Sequence, residues 1–174
     1  MLVISENDVR GLLDLDELIA ALEKAHIQFS AGNVVMPVRL VVPLSEVQGR
    51  ITSMPAFMNE GKALGIKIIS YFGDNPKRNL PPILATISLY SAETGELEVL
   101  MDGVYITAIR TACASAMATK ILARAETPVL GILGAGTQAR THIRQIRYHD
   151  RVQGNIKTYT LTSHKRRNPT NRRP

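Results

Sequence analysis

Three basic side chains stand in apolar stretches of the sequence, where a charge needs a partner. Arg39 lies within residues 37–42, Lys67 within residues 64–69, and Arg110 within a stretch of small residues. Burying a charge is costly unless an opposite charge compensates for it. Arginine can bind a carboxylate through two parallel hydrogen bonds, and the pKa of lysine falls when it is desolvated. Such cations are typical of an anion site or of internal ion pairs.

Simpler interpretations stay open for each of these cations. Strand residues alternate between the two faces of a sheet, so Arg39 and Lys67 could both lie on a solvated face. Arg110 could instead form an ion pair with Asp102 or Glu98.

A glycine-rich motif follows a short apolar strand at residues 128–133. Gly134-x-Gly136-x-x-Ala139 comes next and opens a helical pattern, which is the order in dinucleotide-binding folds. Gly134 would form the tight turn, Gly136 would admit a pyrophosphate, and Ala139 would pack between helix and strand. Free amides at a helix start favour a phosphate group. The motif predicts a dinucleotide cofactor.

The rest of the pattern predicts the elements that must position these residues. Capping pairs Ser5 with Asp8 and Asp14 with Glu17 mark two helix starts, and the second helix should end near Gly32. Strands are predicted at residues 38–42, 51–54, 64–72, 83–90, 96–101 and 156–161, and a further helix at 106–123.

This order of elements predicts an α/β protein in which an α+β module precedes an incomplete Rossmann-type unit. We expect the module at residues 1–124, the start of the nucleotide-binding domain at 125–162, and a basic disordered tail at 163–174. A full dinucleotide fold needs several more strands, so we expect the chain to stop within its own cofactor domain. An interrupted or shifted reading frame would account for the tail.

The formal net charge of +6 does not indicate a specific nucleic-acid partner. No stacking aromatics or folded nucleic-acid motif accompany the basic tail, which favours a solvated end over an arm that contacts phosphate backbones. Much of the excess charge lies in the last ten residues, on Lys165, Arg166, Arg167, Arg172 and Arg173.

The remaining composition predicts a cytoplasmic protein without a membrane partner. No apolar run approaches the length of a membrane span, and no signal-peptide pattern opens the chain. The single cysteine, Cys113, excludes an internal disulfide and has small neighbours, so we expect it to be a packing residue. His26 has no second metal-type residue at usable spacing, so we expect a partnered core histidine and no metal site.

Five segments in one order resemble the ornithine cyclodeaminase/mu-crystallin family, and the resemblance runs from the N-terminus to about Tyr148. The segments are residues 53–57 (SMPAF), 65–67 (GIK), 100–103 (LMDG), 107–112 (TAIRTA) and 133–139 (LGAGTQA). The resemblance implies a substrate-binding and dimerisation module followed by a Rossmann domain for NAD or NADP. It also implies a homodimer.

The resemblance also assigns roles to individual residues. It implies that Arg39, Lys67 and Arg110 hold the substrate carboxylate. Partial desolvation of Lys67 adds the hypothesis that this lysine is a catalytic residue that assists proton transfer. Arg110 and Thr111 lie where the cofactor approaches. The implied pyrophosphate loop comprises Gly134, Ala135, Gly136, Thr137 and Gln138.

The implied function is that of an NAD(P)-dependent amino-acid or imino-acid oxidoreductase, with hydride transfer at the Cα of a small amino acid. The family includes ornithine cyclodeaminases, an alanine dehydrogenase, ketimine reductases and thyroid-hormone-binding crystallins. Two alternatives are a non-catalytic binder of small carboxylates, like the mu-crystallins, and an inactive fragment. For this chain by itself we expect little or no turnover.

Overall fold

A computed structural model of the chain describes residues 1–124, 130–148 and 156–159. Within them, one large sheet contains β1 (Leu2–Ile4), β2 (Val34–Val35), β3 (Leu40–Leu44), β4 (Gly49–Met58), β5 (Ala63–Phe72), β6 (Ile83–Tyr90) and β7 (Leu97–Asp102). The spatial order is β1-β7-β6-β5-β4-β2, and β3 also pairs with β4. β1 runs parallel to β7, and the other pairs are antiparallel.

Three helices accompany this sheet: α1 (Glu6–Leu12), α2 (Leu15–Ser30) and α3 (Val104–Leu122). The predicted capping residues begin the first two, because the Ser5 hydroxyl accepts from the Asp8 amide and the Asp14 carboxylate accepts from the amides of Asp16 and Glu17. α3 contacts α1, α2 and β6. It contributes most of the buried apolar residues of the described chain, namely Ala108, Ile109, Ala112, Cys113 and Ala116.

A second unit consists of β8 (Leu130–Leu133), α4 (Thr137–Tyr148) and β9 (Ile156–Tyr159). β8 and β9 are parallel and pair in register from Leu130 with Ile156 to Leu133 with Tyr159. A strand, a helix and a second parallel strand form the βαβ unit of nucleotide-binding folds. The α/β class that the sequence predicts is therefore confirmed, and the domain boundaries stay a prediction.

Two strand predictions were wrong in detail, and one strand was missed. The strand predicted at 38–42 begins only at Leu40, so Arg39 lies in the preceding loop. β1 was not predicted at all. The strand predicted at 51–54 continues through Pro55 to Met58. On the side of β4 away from β5, β3 pairs with β4 up to Ser53 and β2 pairs with it from Phe57. Pro55 lies in the gap between these two partner strands, where its missing N–H costs no hydrogen bond.

Some predictions fall outside the described residues. These include residues 125–129, at the start of the expected nucleotide-binding domain, with the first two positions of the strand at 128–133. They also include the last two positions of the strand at 156–161 and the basic tail at 163–174.

Candidate functional site

One face of the inner strands carries the residues that form the floor of the site. Residues that pair directly across strands point to the same face, and that face alternates with every residue. The first row across β4, β5 and β6 is therefore Met54, Lys67 and Ile87, and the second row is Ala56, Gly65 and Leu89.

The start of α3 is fixed to the sheet next to this floor. The Gly103 amide donates to the Ala85 carbonyl at 2.8 Å, and the Asp102 carboxylate accepts from the Val104 amide at 2.8 Å. A Cβ at Gly103 would lie 3.1 Å from Ala85, closer than ordinary contact, so a side chain there would have to shift this junction. Two turns later, the anchored helix presents Arg110 to the floor.

Arg39, Lys67 and Arg110 line one cleft of about 510 Å³, which we call the cation cleft. They come from the loop before β3, from β5 and from α3. No ion pair between described residues includes any of the three. The alternative pairing of Arg110 with Asp102 or Glu98 is therefore wrong, and the cleft has an excess of positive charge.

Lys67 is half-buried and lines the cleft, so it does not lie on a fully solvated strand face. Burial of the ammonium, followed by the positive charges of Arg110 and Arg39, lowers the pKa of Lys67 from its ordinary 10.5 to about 8. Lys67 can therefore give up and regain a proton near physiological pH. Arg39 is exposed, but it lies in the loop before β3 and not on a strand face, and this loop places it in the cleft.

A second cleft of about 550 Å³ adjoins the first and shares Lys67 and Arg110 with it. We call it the apolar cleft. The two rows of strand residues named above form the floor of this cleft as well. One face of α2, which includes Ala25, His26 and Phe29, also lines it. His26 was expected in the core, but it is exposed. Its Nδ1 donates to the Leu22 carbonyl at 2.7 Å.

The glycine motif forms an exposed loop between β8 and α4. Gly134 has a φ of +103°, a conformation that residues with a side chain rarely adopt. Residues 135–138 are exposed, so a ligand can reach their main chain. This geometry fits a loop that binds phosphate groups through amides at a helix start. Thr111, the other predicted cofactor residue, is half-buried and its hydroxyl donates to the Thr107 carbonyl at 2.7 Å.

α3 joins the clefts to the nucleotide-type unit. The Ser115 hydroxyl lies 3.0 Å from Nε2 of His142 on α4, and Nδ1 of His142 donates to the Gln138 carbonyl. This network connects the side chains of α3 and α4. Sequence reasoning missed both residues, because only the packing of α3 on α4 brings them together.

Cys113 confirms the packing role predicted for it. It is fully buried on α3, and its thiol lies 3.7 Å from Oε1 of the buried Gln145. Burial raises the pKa of this thiol.

Two further features are absent from the described residues. No helix in residues 1–124 or 130–148 has the length and apolar character needed to cross a membrane. In the same part of the chain, no three His, Cys, Asp or Glu residues are grouped to hold a metal ion.

Known proteins are similar to this chain in both sequence and fold. Ketimine reductase mu-crystallin of Macropus fuliginosus is 36% identical over 171 residues, with 91% of this chain and 54% of the relative covered. The structure of Thermococcus litoralis Delta(1)-pyrroline-2-carboxylate reductase in complex with NADH and L-proline has 35% identity and a TM-score of 0.84. The structural match covers 94% of this chain and 50% of the reductase chain.

An archaeal alanine dehydrogenase dimer with bound NAD has 31% identity and a TM-score of 0.85. This match covers 92% of this chain and 48% of the dehydrogenase chain. This chain spans about half the length of the relatives that it matches. The model of the ornithine cyclodeaminase/mu-crystallin family matches residues 1–171. The chain is a member of the ornithine cyclodeaminase/mu-crystallin family.

Proposed function

We propose that this chain is the carboxylate-binding part of an NAD(P)-dependent oxidoreductase that acts at the α-carbon of amino or imino acids. Arg39, Lys67 and Arg110 converge on one cleft, and none of them forms an ion pair with another described residue; this observation carries the proposal. Relatives named as reductases and dehydrogenases of such compounds support it.

The two arginines and the lysine have different tasks in this proposal. The guanidinium groups of Arg39 and Arg110, together with the ammonium of Lys67, bind the carboxylate, which fixes the orientation of the α-carbon. With a pKa of about 8, Lys67 holds or releases a proton near the α-nitrogen of the ligand. Lys67 is thus the proposed catalytic residue.

The cofactor proposed for this reaction is NAD or NADP, which supplies hydride transfer when bound. The pyrophosphate would be held by Gly134, Ala135, Gly136, Thr137 and Gln138, in the exposed loop at the start of α4. Arg110 and Thr111 would lie beside the cofactor.

Carboxylate binding without turnover is the second candidate for this chain by itself. All three cations lie within residues 1–124, so the cation cleft does not require a complete nucleotide-binding domain. A chain that binds the ligand and leaves NADH unoxidised would fit this candidate.

We also propose that two copies pair through the sheet face opposite the clefts. Five aliphatic side chains in cross-strand register share that face and are between 40% and 66% exposed in the described chain: Leu40, Val42, Ile51, Ile68 and Leu84. An exposed apolar patch of this kind indicates an interface. The dimer in the related alanine dehydrogenase supports a second copy as its partner.

Calorimetric titration with pyruvate, a small α-keto acid, tests the proposed function on this chain. We expect measurable binding that weakens at least about tenfold in Arg110→Met, because a charge-assisted bidentate contact is lost. Arg78→Met is the matched control, since Arg78 is exposed and lines neither cleft. Equal loss in both variants, or no binding of pyruvate, would refute the proposal.

NADH oxidation in the presence of a cyclic imino acid then separates the two candidates. Oxidation supports the oxidoreductase. Pyruvate binding with NADH left intact supports the binder.

A further inference from the structure

The apolar cleft has room beyond the position of a carboxylate at the cations. Lys67 and Arg110 stand where the two clefts meet, and Ala63 lines only the apolar one. Ala63 and Lys67 are four residues apart on β5, about 13 Å along an extended strand. The cleft therefore continues past the cations for the length of a large amino-acid side chain.

Small residues create this space. Ala56 and Gly65 pair across β4 and β5, and Ala63 pairs with Met58 in the next row on the same face. A Cβ on Gly65 would lie 2.9 Å from the Leu89 side chain, so even one added carbon would displace the lining. The floor is low between Lys67 and Ala63 because Ala56, Gly65 and Ala63 have little or no side chain.

Apart from His26, Lys67 and Arg110, the lining of this space is apolar, and no acidic residue of the described chain contributes to it. Phe29, Met58 and Leu89 contribute to its lining, and no Asp or Glu is among the residues that line either cleft in the described chain. A terminal ammonium on a ligand would lose its hydration there without gaining a counter-ion. An alkyl or aromatic group would gain free energy from burial.

We propose that the apolar cleft binds the side chain of the ligand, and that the ligand is an α-imino, α-amino or α-keto acid with a bulky uncharged side chain. This inference rests on the proposed carboxylate site and adds the class of compound that occupies it. It departs from the small amino acid that we expected from the sequence.

Calorimetric titration of this chain with three α-keto acids tests the inference. Pyruvate has a methyl group, 2-oxohexanoate extends it by three methylenes, and 2-oxoglutarate ends in a second carboxylate. We expect 2-oxohexanoate to bind at least about tenfold more tightly than pyruvate, because the added methylenes are buried. We expect 2-oxoglutarate to bind more weakly than 2-oxohexanoate.

Variants of the cleft should remove this preference. Ala63→Phe fills the far end of the cleft, so the ratio of the two dissociation constants should fall towards one. Ala92→Phe, in the exposed turn between β6 and β7, makes the same change away from the clefts and should keep the ratio. Met58→Ser places a hydroxyl in the lining and should also lower the ratio, which provides a second test if Ala63→Phe does not fold.

The outcomes separate this inference from the proposed function. Pyruvate and 2-oxohexanoate binding with equal affinity would overturn the inference and leave the carboxylate site intact. Tighter binding of 2-oxoglutarate than of 2-oxohexanoate would also overturn it alone. A failure of all three acids to bind would overturn both.

Discussion

Lys67 on β5 and Arg110 on α3 line both clefts on the helical side of the sheet. The positive charge of Arg110 also contributes to the low pKa of Lys67. A ligand carboxylate would contact the same two residues that its side chain must pass. The charge of the ligand and the size of its side chain therefore both affect binding at these two residues.

Carboxylate binding should weaken as the pH rises above about 8. A bound anion stabilises the ammonium of Lys67 and raises its pKa, so binding above pH 8 takes up a proton. The dissociation constant of pyruvate should rise by up to about tenfold per pH unit in that range. Titrations at several pH values measure this slope. Lys67→Met should give a flat profile, and a slope that persists in this variant would contradict the assignment.

Lys67→Met should stabilise the folded chain at pH 7 while it weakens binding. The pKa of Lys67 is lower in the folded than in the unfolded chain, so its protonated form opposes folding, and stability rises with pH from about 8 to 10.5. Allowing for the solvent screening of a half-buried group, we expect a gain on the order of 1 kcal/mol at pH 7.

Urea unfolding of the variant and the wild type measures this difference. The difference in the free energy of unfolding should shrink as the pH approaches 10.5. Lys120→Met, at an exposed position near the end of α3, is the control and should leave stability nearly unchanged.

Gly134→Ala should weaken NADH binding more than Gly131→Ala. An added Cβ meets nothing within 4 Å at either glycine, but only Gly134 has a positive φ. Alanine at that φ costs about 1–2 kcal/mol or shifts the loop. NADH fluorescence titration measures the affinities, and similar losses in both variants would show that the loop conformation is not the cause.

Ile68→Glu should convert the proposed dimer to a monomer. The substitution places a charge in the centre of the exposed apolar sheet face, where a partner copy would bury it without compensation. Sedimentation equilibrium measures the mass. Leu122→Glu puts the same charge at the exposed end of α3 and should leave the dimer intact. A monomeric wild-type chain would refute the interface.

Thr107→Val should stabilise the chain slightly. The Thr107 hydroxyl is buried and has no hydrogen-bond partner among the described residues. Replacing it with a methyl group of similar shape removes an unsatisfied polar atom, worth about 1 kcal/mol. Thermal unfolding measures the change. A loss of stability would contradict this prediction.

Local patterns in the sequence were enough to predict most of the elements. The capping residues Ser5 and Asp14 begin helices as expected, and β6 has the predicted bounds of 83–90. Pro55 misled the prediction, because a proline within a strand is tolerated only where its neighbour is missing, and neighbours are not visible in sequence.

The same reason explains what was missed at the site. Lys67 and Arg110 were recognised as unusual cations, but nothing local shows that Gly65, Ala56 and Ala63 share one sheet face. That arrangement follows from the pairing register of strands distant in sequence, as does the pairing of β1 with β7.

The position of β1 has a consequence for the order in which the molecule forms. β1 is the first strand of the chain and its partner β7 is the last strand of the same sheet, whereas β4, β5, β6 and β7 are joined by successive hairpins. Closing the long segment between β1 and β7 costs more chain entropy than forming any of these hairpins. We therefore expect the floor of the ligand site to assemble early in folding, with the edge strand added last.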